Sequence, residues 1–202
     1  AAVAGAAAAI ASSDQDETPE PSNPTSSPDY ANLPNEQSFG TVTLADGTDQ
    51  TVQGSSDADM IDAGAGNDIL QGNQGNDYLM GGQGNDQYLF GRGDGQDIIN
   101  NFSNLANETD QLTLGGGMTK NDLWLTQQGQ DLVIDLSGTD DQIKVANWFD
   151  GDAYQLDEIH AGDAVLLNNK VDALVSAMAS FDNPAAGEMD IAKNIREETA
   201  TI

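Results

Sequence analysis

GSSDADMID (residues 54–62), AGAGNDILQ (63–71), GNQGNDYLM (72–80) and GGQGNDQYL (81–89) follow one another without a gap. In each unit the sixth position is aspartate (Asp59, Asp68, Asp77, Asp86) and the eighth is apolar (Ile61, Leu70, Leu79, Tyr88). A flexible linker rich in Gly, Asp and Asn has no reason to hold apolar residues in phase, so the period is architectural. The first six residues of each unit are loop formers: glycine supplies positive φ and close backbone approach, and Asn67, Asn76 and Asn85 tolerate the left-handed region. The last three form a short strand that turns one apolar side chain inward. Two units then make one coil, and successive units lie on opposite sheets of a parallel β-roll.

Stacked coils place equivalent loops about 4.8 Å apart, so the loop of unit n lies against that of unit n+2. Asp59 is thereby set over Asp77, and Asp68 over Asp86. Two ionised carboxylates at that spacing repel, and burying either alone costs several kcal/mol. A hard cation between the loops reverses the sign of that term, and Ca²⁺ accepts six to eight oxygens from carboxylates and backbone carbonyls. The candidate ligands, from carboxylates and loop carbonyls, are Gly54, Ser56, Asp57 and Asp59; Ala63, Ala65, Gly66 and Asp68; Gly72, Gln74, Gly75 and Asp77; Gly81, Gln83, Gly84 and Asp86.

The array is irregular at both ends. A decayed unit, residues 45–53, precedes it, with Val52 in the apolar slot and Gln50 in place of the aspartate. After it, GRGDGQD (91–97) breaks the period, since Asp97 comes eleven residues after Asp86, yet Ile99 follows Asp97 by two. A two-residue insertion accounts for this and lets Asp97 close a site over Asp77, adding Arg92, Gly93, Asp94 and Asp97 to the candidates. About three well-occupied Ca²⁺ sites are expected, and up to five if the ends contribute.

Charge and composition agree. The 202 residues hold 6 Lys+Arg against 34 Asp+Glu, a net charge of −28, and no basic residue precedes Arg92. Such a polyanion repels nucleic acid and anionic lipid and attracts cations. Cysteine is absent, so neither disulfides nor thiolate metal sites can staple the fold. No segment approaches the roughly 20 apolar residues of a membrane-spanning helix.

Beyond the array, alternation at Leu123 and Leu125, at Leu132, Ile134 and Leu136, and at Ile143 and Val145 predicts an antiparallel β-meander. Trp148 and Phe149 are its core anchors. Val171, Leu174, Val175, Met178 and Phe181 recur at helical spacing before Pro184. The expected fold is all-β: a parallel β-roll of nonapeptide repeats, a small antiparallel meander cap and a short C-terminal helix. The expected divisions are an Ala-rich start and Pro/Ser/acidic linker (1–36), the roll (37–102), a β-rich flanking domain (103–169), and a C-terminal helix with a terminal tail (170–202). The Ala-rich start reads as the helical end of a longer polypeptide.

The units resemble the Gly-Gly-x-Gly-x-Asp-x-apolar-x repeats of the RTX (repeats-in-toxin), haemolysin-type calcium-binding family. Residues 90–99, 131–134 and 145–149 are similar to the domain that flanks such arrays. The resemblance implies a substrate of a bacterial type I secretion system, secreted or held at the cell surface, with an uncleaved export signal in about the last forty residues. It implies a monomer that meets the secretion machinery transiently, with a host-cell or glycan partner left open. The alternatives are a surface adhesin or polysaccharide-binding module, or the C-terminal part of a secreted hydrolase whose catalytic domain lies upstream.

No nucleophile triad, carboxylate pair or phosphate loop can be assembled from the motifs, and the chain reads as non-catalytic. His160 beside Asp157 and Glu158 reads as structural. Arg92-Gly93-Asp94 spells an integrin-type tripeptide, but its place in the loop terminator already explains each residue.

Overall fold

The computed structural model describes residues 42–44 and 47–180. The Ala-rich start, the linker and the tail from Phe181 on, with most of the segment expected to carry an export signal, lie outside the described residues.

Each nonapeptide contributes one short strand: β2 (Thr51–Gln53), β3 (Met60–Asp62), β4 (Ile69–Gln71), β5 (Tyr78–Met80) and β6 (Gln87–Phe90), with β1 (Val42–Leu44) before them and β7 (Gln96–Ile99) after. Six loop residues reverse the chain between strands, so alternate strands stack in parallel. β1, β3, β5 and β7 build one sheet and β2, β4 and β6 the other. The register aligns the apolar slots in two columns. Leu79 pairs with Ile61 and with Ile99 in one sheet, and Leu70 pairs with Val52 and with Tyr88 in the other. All six of these residues are buried. Burial of such side chains is worth about 1.5–3 kcal/mol each, and the columns are the main apolar stabilisation of the roll. The two-residue insertion is absorbed by the loop before β7, which leaves Leu79 opposite Ile99.

The strands after residue 102 join the same two sheets. β8 (Gln111–Leu114) pairs in parallel with β6, and β12 (Glu158–Ala161) pairs in parallel with β8, so Leu112 and Ile159 lengthen the column above Tyr88. β11 (Gln142–Val145) pairs in parallel with β7 and sets Val145 on Ile99. Antiparallel pairing begins only beyond these strands. β10 (Asp131–Leu136) and β9 (Leu123–Gln128) extend one sheet from β11, and β13 (Ala164–Leu167) closes the other on β12. The meander thus forms the terminal strands of the roll, the atypical end that stacked repeats require.

Trp148 is wholly buried in this cap, and Phe149 packs against the same core. α1 (Asn168–Met178) buries Val171, Val175 and Met178 on the face that their spacing defines and packs against β9, where the Leu125 N–H donates to Met178 Sδ at 3.1 Å. Among the described residues no helix is long and apolar enough to cross a membrane.

Candidate metal centre

Because the loops stack as the strands do, the sixth-position aspartates form two vertical ladders. On the β3–β5–β7 side, the Asp59 N–H donates to Asp77 Oδ1 (2.7 Å) and the Asp77 N–H to Asp97 Oδ1 (3.0 Å). On the other side, the Gln50 N–H donates to Asp68 Oδ1 (2.8 Å) and the Asp68 N–H to Asp86 Oδ1 (2.9 Å). These are the n to n+2 juxtapositions expected from the period. Asp68, Asp77, Asp86 and Asp97 each reach the neighbouring rung with Oδ1, and Asp59, Asp77 and Asp86 hold Oδ2 within their own loops.

Neither the interior of a loop nor the gap between stacked loops leaves room for an added side chain. A Cβ on Gly72 would lie 2.2 Å from Asp77 Oδ2, and one on Gly84, at φ +125°, would lie 1.8 Å from the Gly66 carbonyl oxygen. Backbone amides tie the stack together as well, with Gly66 N–H donating to the Gln83 carbonyl and Gly75 N–H to the Asp94 carbonyl, both at 2.8 Å.

The second carboxylate oxygens decide the chemistry. Oδ2 of Asp68, Asp77, Asp86 and Asp97 are all buried without a hydrogen-bond partner, in residues no more than 2% exposed. Burial is the first cause that lifts these carboxyls; bonds from the ladder amides oppose it, and neighbouring aspartates add to it. Asp77 is pushed up to about 6, Asp86 to about 7 and Asp97 to about 8, and Asp68 is raised as well. A buried anionic oxygen with no donor is costly, and a cation is the partner that removes the cost. Asp59 differs, since its Oδ2 accepts the Ser55 N–H and the Ser55 hydroxyl within its own loop.

Two protein-family models match the chain. Residues 53–88 match the RTX calcium-binding nonapeptide repeat, in four copies, and residues 131–169 match the haemolysin-type calcium binding protein related domain. The array carries RTX nonapeptide repeats, and such repeats bind calcium. Among solved structures, it is similar to the solution structure of the AlgE6R3 subunit from the Azotobacter vinelandii mannuronan C5-epimerase. The match is 18% identical and covers 78% of this chain and 93% of that one. The TM-score is 0.25.

The donor set of the RTX array fits the ion. Asp59, Asp68, Asp77, Asp86 and Asp97 bring hard oxygens to the stacked loops. Of the loop carbonyls named from the sequence, that of Gly54 accepts Asn73 Nδ2 (2.7 Å) and that of Gln83 accepts the Gly66 N–H (2.8 Å). In the terminator, Asp94 supplies its carbonyl to Gly75 and holds the Gly91 N–H with Oδ2 (2.7 Å), which shapes the longer loop. The side chain of Arg92 leaves the loop. Its guanidinium donates to Asp122 Oδ1 (2.8 Å) and to the Ser137 carbonyl (3.2 Å), so it ties the roll to the cap.

Several acidic residues beyond Asp97 also meet the loops. The Asp86 N–H donates to Asp110 Oδ1 (2.8 Å) and the Asp110 N–H to Asp157 Oδ2 (3.0 Å), so one ladder runs on through the cap. Glu108 Oε1 accepts the Gly84 N–H (2.7 Å), and Asp141 accepts the N–H groups of Gly93 (2.8 Å) and Gly95 (3.2 Å). Their signal was present: Asp110-Gln111-Leu112, Asp141-Gln142-Ile143 and Asp157-Glu158-Ile159 keep the aspartate-x-apolar spacing of the repeats. Their loops have lost the glycines at the repeat positions and the nine-residue interval.

Proposed function

We propose that the chain is a non-catalytic, calcium-gated folding module of a larger exported bacterial protein. The observation that supports this reading is the set of four stacked aspartates whose second oxygens are buried without a donor. Without a cation the ladders repel and the short apolar columns do not offset the ordering entropy of the chain. The module therefore stays extended where free calcium is scarce, in a form that can be threaded through a type I secretion channel. Outside the cell, calcium saturates sites whose affinities lie around 10⁻⁴ to 10⁻³ M for extracellular modules, and binding energy becomes folding energy. The folded monomer then stabilises the protein it belongs to, in solution or at the cell surface.

Circular dichroism tests this. In chelator the array is expected to lack ordered β-structure and to gain it cooperatively with calcium. Magnesium at equal concentration should not substitute, because it demands strict octahedral geometry. Identical spectra with and without calcium would remove the basis of the proposal.

A further inference from the structure

The two sheets of the roll are built from one repeat, yet their outer faces differ. Ile61, Leu79 and Ile99 point into the core, so by strand alternation Met60, Tyr78 and Ile98 point out. Register carries this outer row on through Lys144 and Val133: Met60 pairs with Tyr78, Tyr78 with Ile98, Ile98 with Lys144, and Lys144 with Val133. Met80 stands beside the row on β5. Met60, Tyr78, Met80 and Val133 are only 8%, 6%, 4% and 0% exposed, although none of them belongs to the core inside the roll. On the other sheet the equivalent positions behave as an outer face should. Thr51 and Gln53 are exposed there, and Ile69, Gln71, Gln87 and Leu89 are half-buried.

Four covered apolar side chains on the outside of a sheet imply an occupant. α1 packs against β9 and β13, the outermost strands of the two sheets at the cap end, and the chain leaves it at Ser180 toward the tail. From β9 to β3 is five strand spacings, about 24 Å, and residues 181–202 reach about 33 Å even as a helix. Charge selects among the occupants. The row is bordered by Asp62, Asp131 and Asp135, which point out by the same alternation. A second copy would bring the same acids and a further net charge of −28 against them, and residues 1–41 contain no Lys or Arg. The tail holds Lys193 and Arg196, with Ile191, Ile195 and Ile202 at helical spacing.

We propose that the tail, residues 188–202, docks on this outer face, with Ile191, Ile195 and Ile202 against the Met60–Tyr78–Ile98 row and Lys193 and Arg196 toward the bordering aspartates. The face exists only once alternate strands have stacked, because Met60, Tyr78 and Ile98 lie 18 and 20 residues apart in the chain and meet through the register alone. The tail is therefore free in the extended chain and held in the folded one. The terminal segment expected to carry the export signal is thus withdrawn as soon as the roll has formed, a timing that rests on the calcium-gated folding proposed above.

The test is methionine oxidation by hydrogen peroxide in the full chain, read residue by residue by mass spectrometry, since oxidation follows exposure. In calcium, Met60 and Met80 of the unmodified chain should react as slowly as Met118, which is 1% exposed in the core. The double substitution Ile191→Asp, Ile195→Asp lies outside the roll and should speed oxidation of Met60 and Met80 about fivefold while leaving Met118 unchanged. Circular dichroism in calcium verifies that both chains are folded. Equal rates at Met60 and Met80 in the two chains overturn the docking, and so does protection that rises with protein concentration, which marks a second copy as the occupant. The calcium reading is judged separately, at Met118, which should become reactive in chelator. Protection of Met118 that persists there overturns calcium gating and leaves the comparison at Met60 and Met80 to decide the docking.

Discussion

Protons should be able to do part of calcium's work. The carboxyls of Asp77, Asp86 and Asp97 stand at about 6, 7 and 8 in the metal-free fold, against 3.8 for a free aspartate. At about 1.36 kcal/mol for each unit by which the pKa is raised, the ionised fold is penalised by about 3, 4 and 6 kcal/mol at these residues. The sign follows from linkage: a folded pKa raised above the unfolded one gives stability that is full below about 3.8 and is lost as pH rises through 6 to 8. Calcium binding needs the ionised form, so its affinity moves the opposite way. In chelator, the far-ultraviolet dichroism of the chain is therefore expected to show β-structure appearing as pH falls from about 8 to about 5, while in excess calcium the folded signal persists at pH 8. Asp97→Asn, which neutralises the most strongly shifted carboxyl, should move the metal-free transition to higher pH. If the metal-free chain gains nothing above pH 5, or folds only near pH 4 where surface carboxylates titrate, the buried ladder is not what opposes folding.

The middle and the end of a ladder should differ in cooperativity. Asp77 makes rungs with both Asp59 and Asp97, so Asp77→Ala should lower the Hill coefficient of a calorimetric calcium titration more than Asp59→Ala does, and equal losses would contradict the pairing. Gly84→Ala would place its Cβ 1.8 Å from the Gly66 carbonyl at φ +125°, and should raise the calcium needed for half-folding severalfold, read by the same dichroism. A change within error would mean that the loops stack more loosely than this. Trp148→Ala removes the largest wholly buried side chain of the cap and should cost about 3–5 kcal/mol in urea unfolding of the calcium-loaded chain.

Much of this molecule is written in its local pattern. The strands at residues 60–62, 69–71 and 78–80, the two apolar columns and the pairing of unit n with n+2 all follow from a nine-residue period, because each repeat touches only its neighbours and local order dictates the stack. The insertion before Asp97 was legible too, since the aspartate-x-apolar triplet resumes after it. The long connections were not. Asp110 joins its ladder 24 residues after Asp86, and Asp157 follows 47 residues later, so no fixed interval announces them. Only the parallel pairing of β12 with β8 and of β8 with β6 brings the three into line. Tertiary packing also decided which carboxylates are satisfied. Asp122 meets Arg92, Asp110 meets Asn101 and Asp59 meets Ser55, while Asp68, Asp77, Asp86 and Asp97 each keep one buried oxygen without a donor. The period placed an aspartate in every loop. Which of them require a cation depends on partners contributed by distant segments of the chain, and those partners meet them only when the sheets have formed.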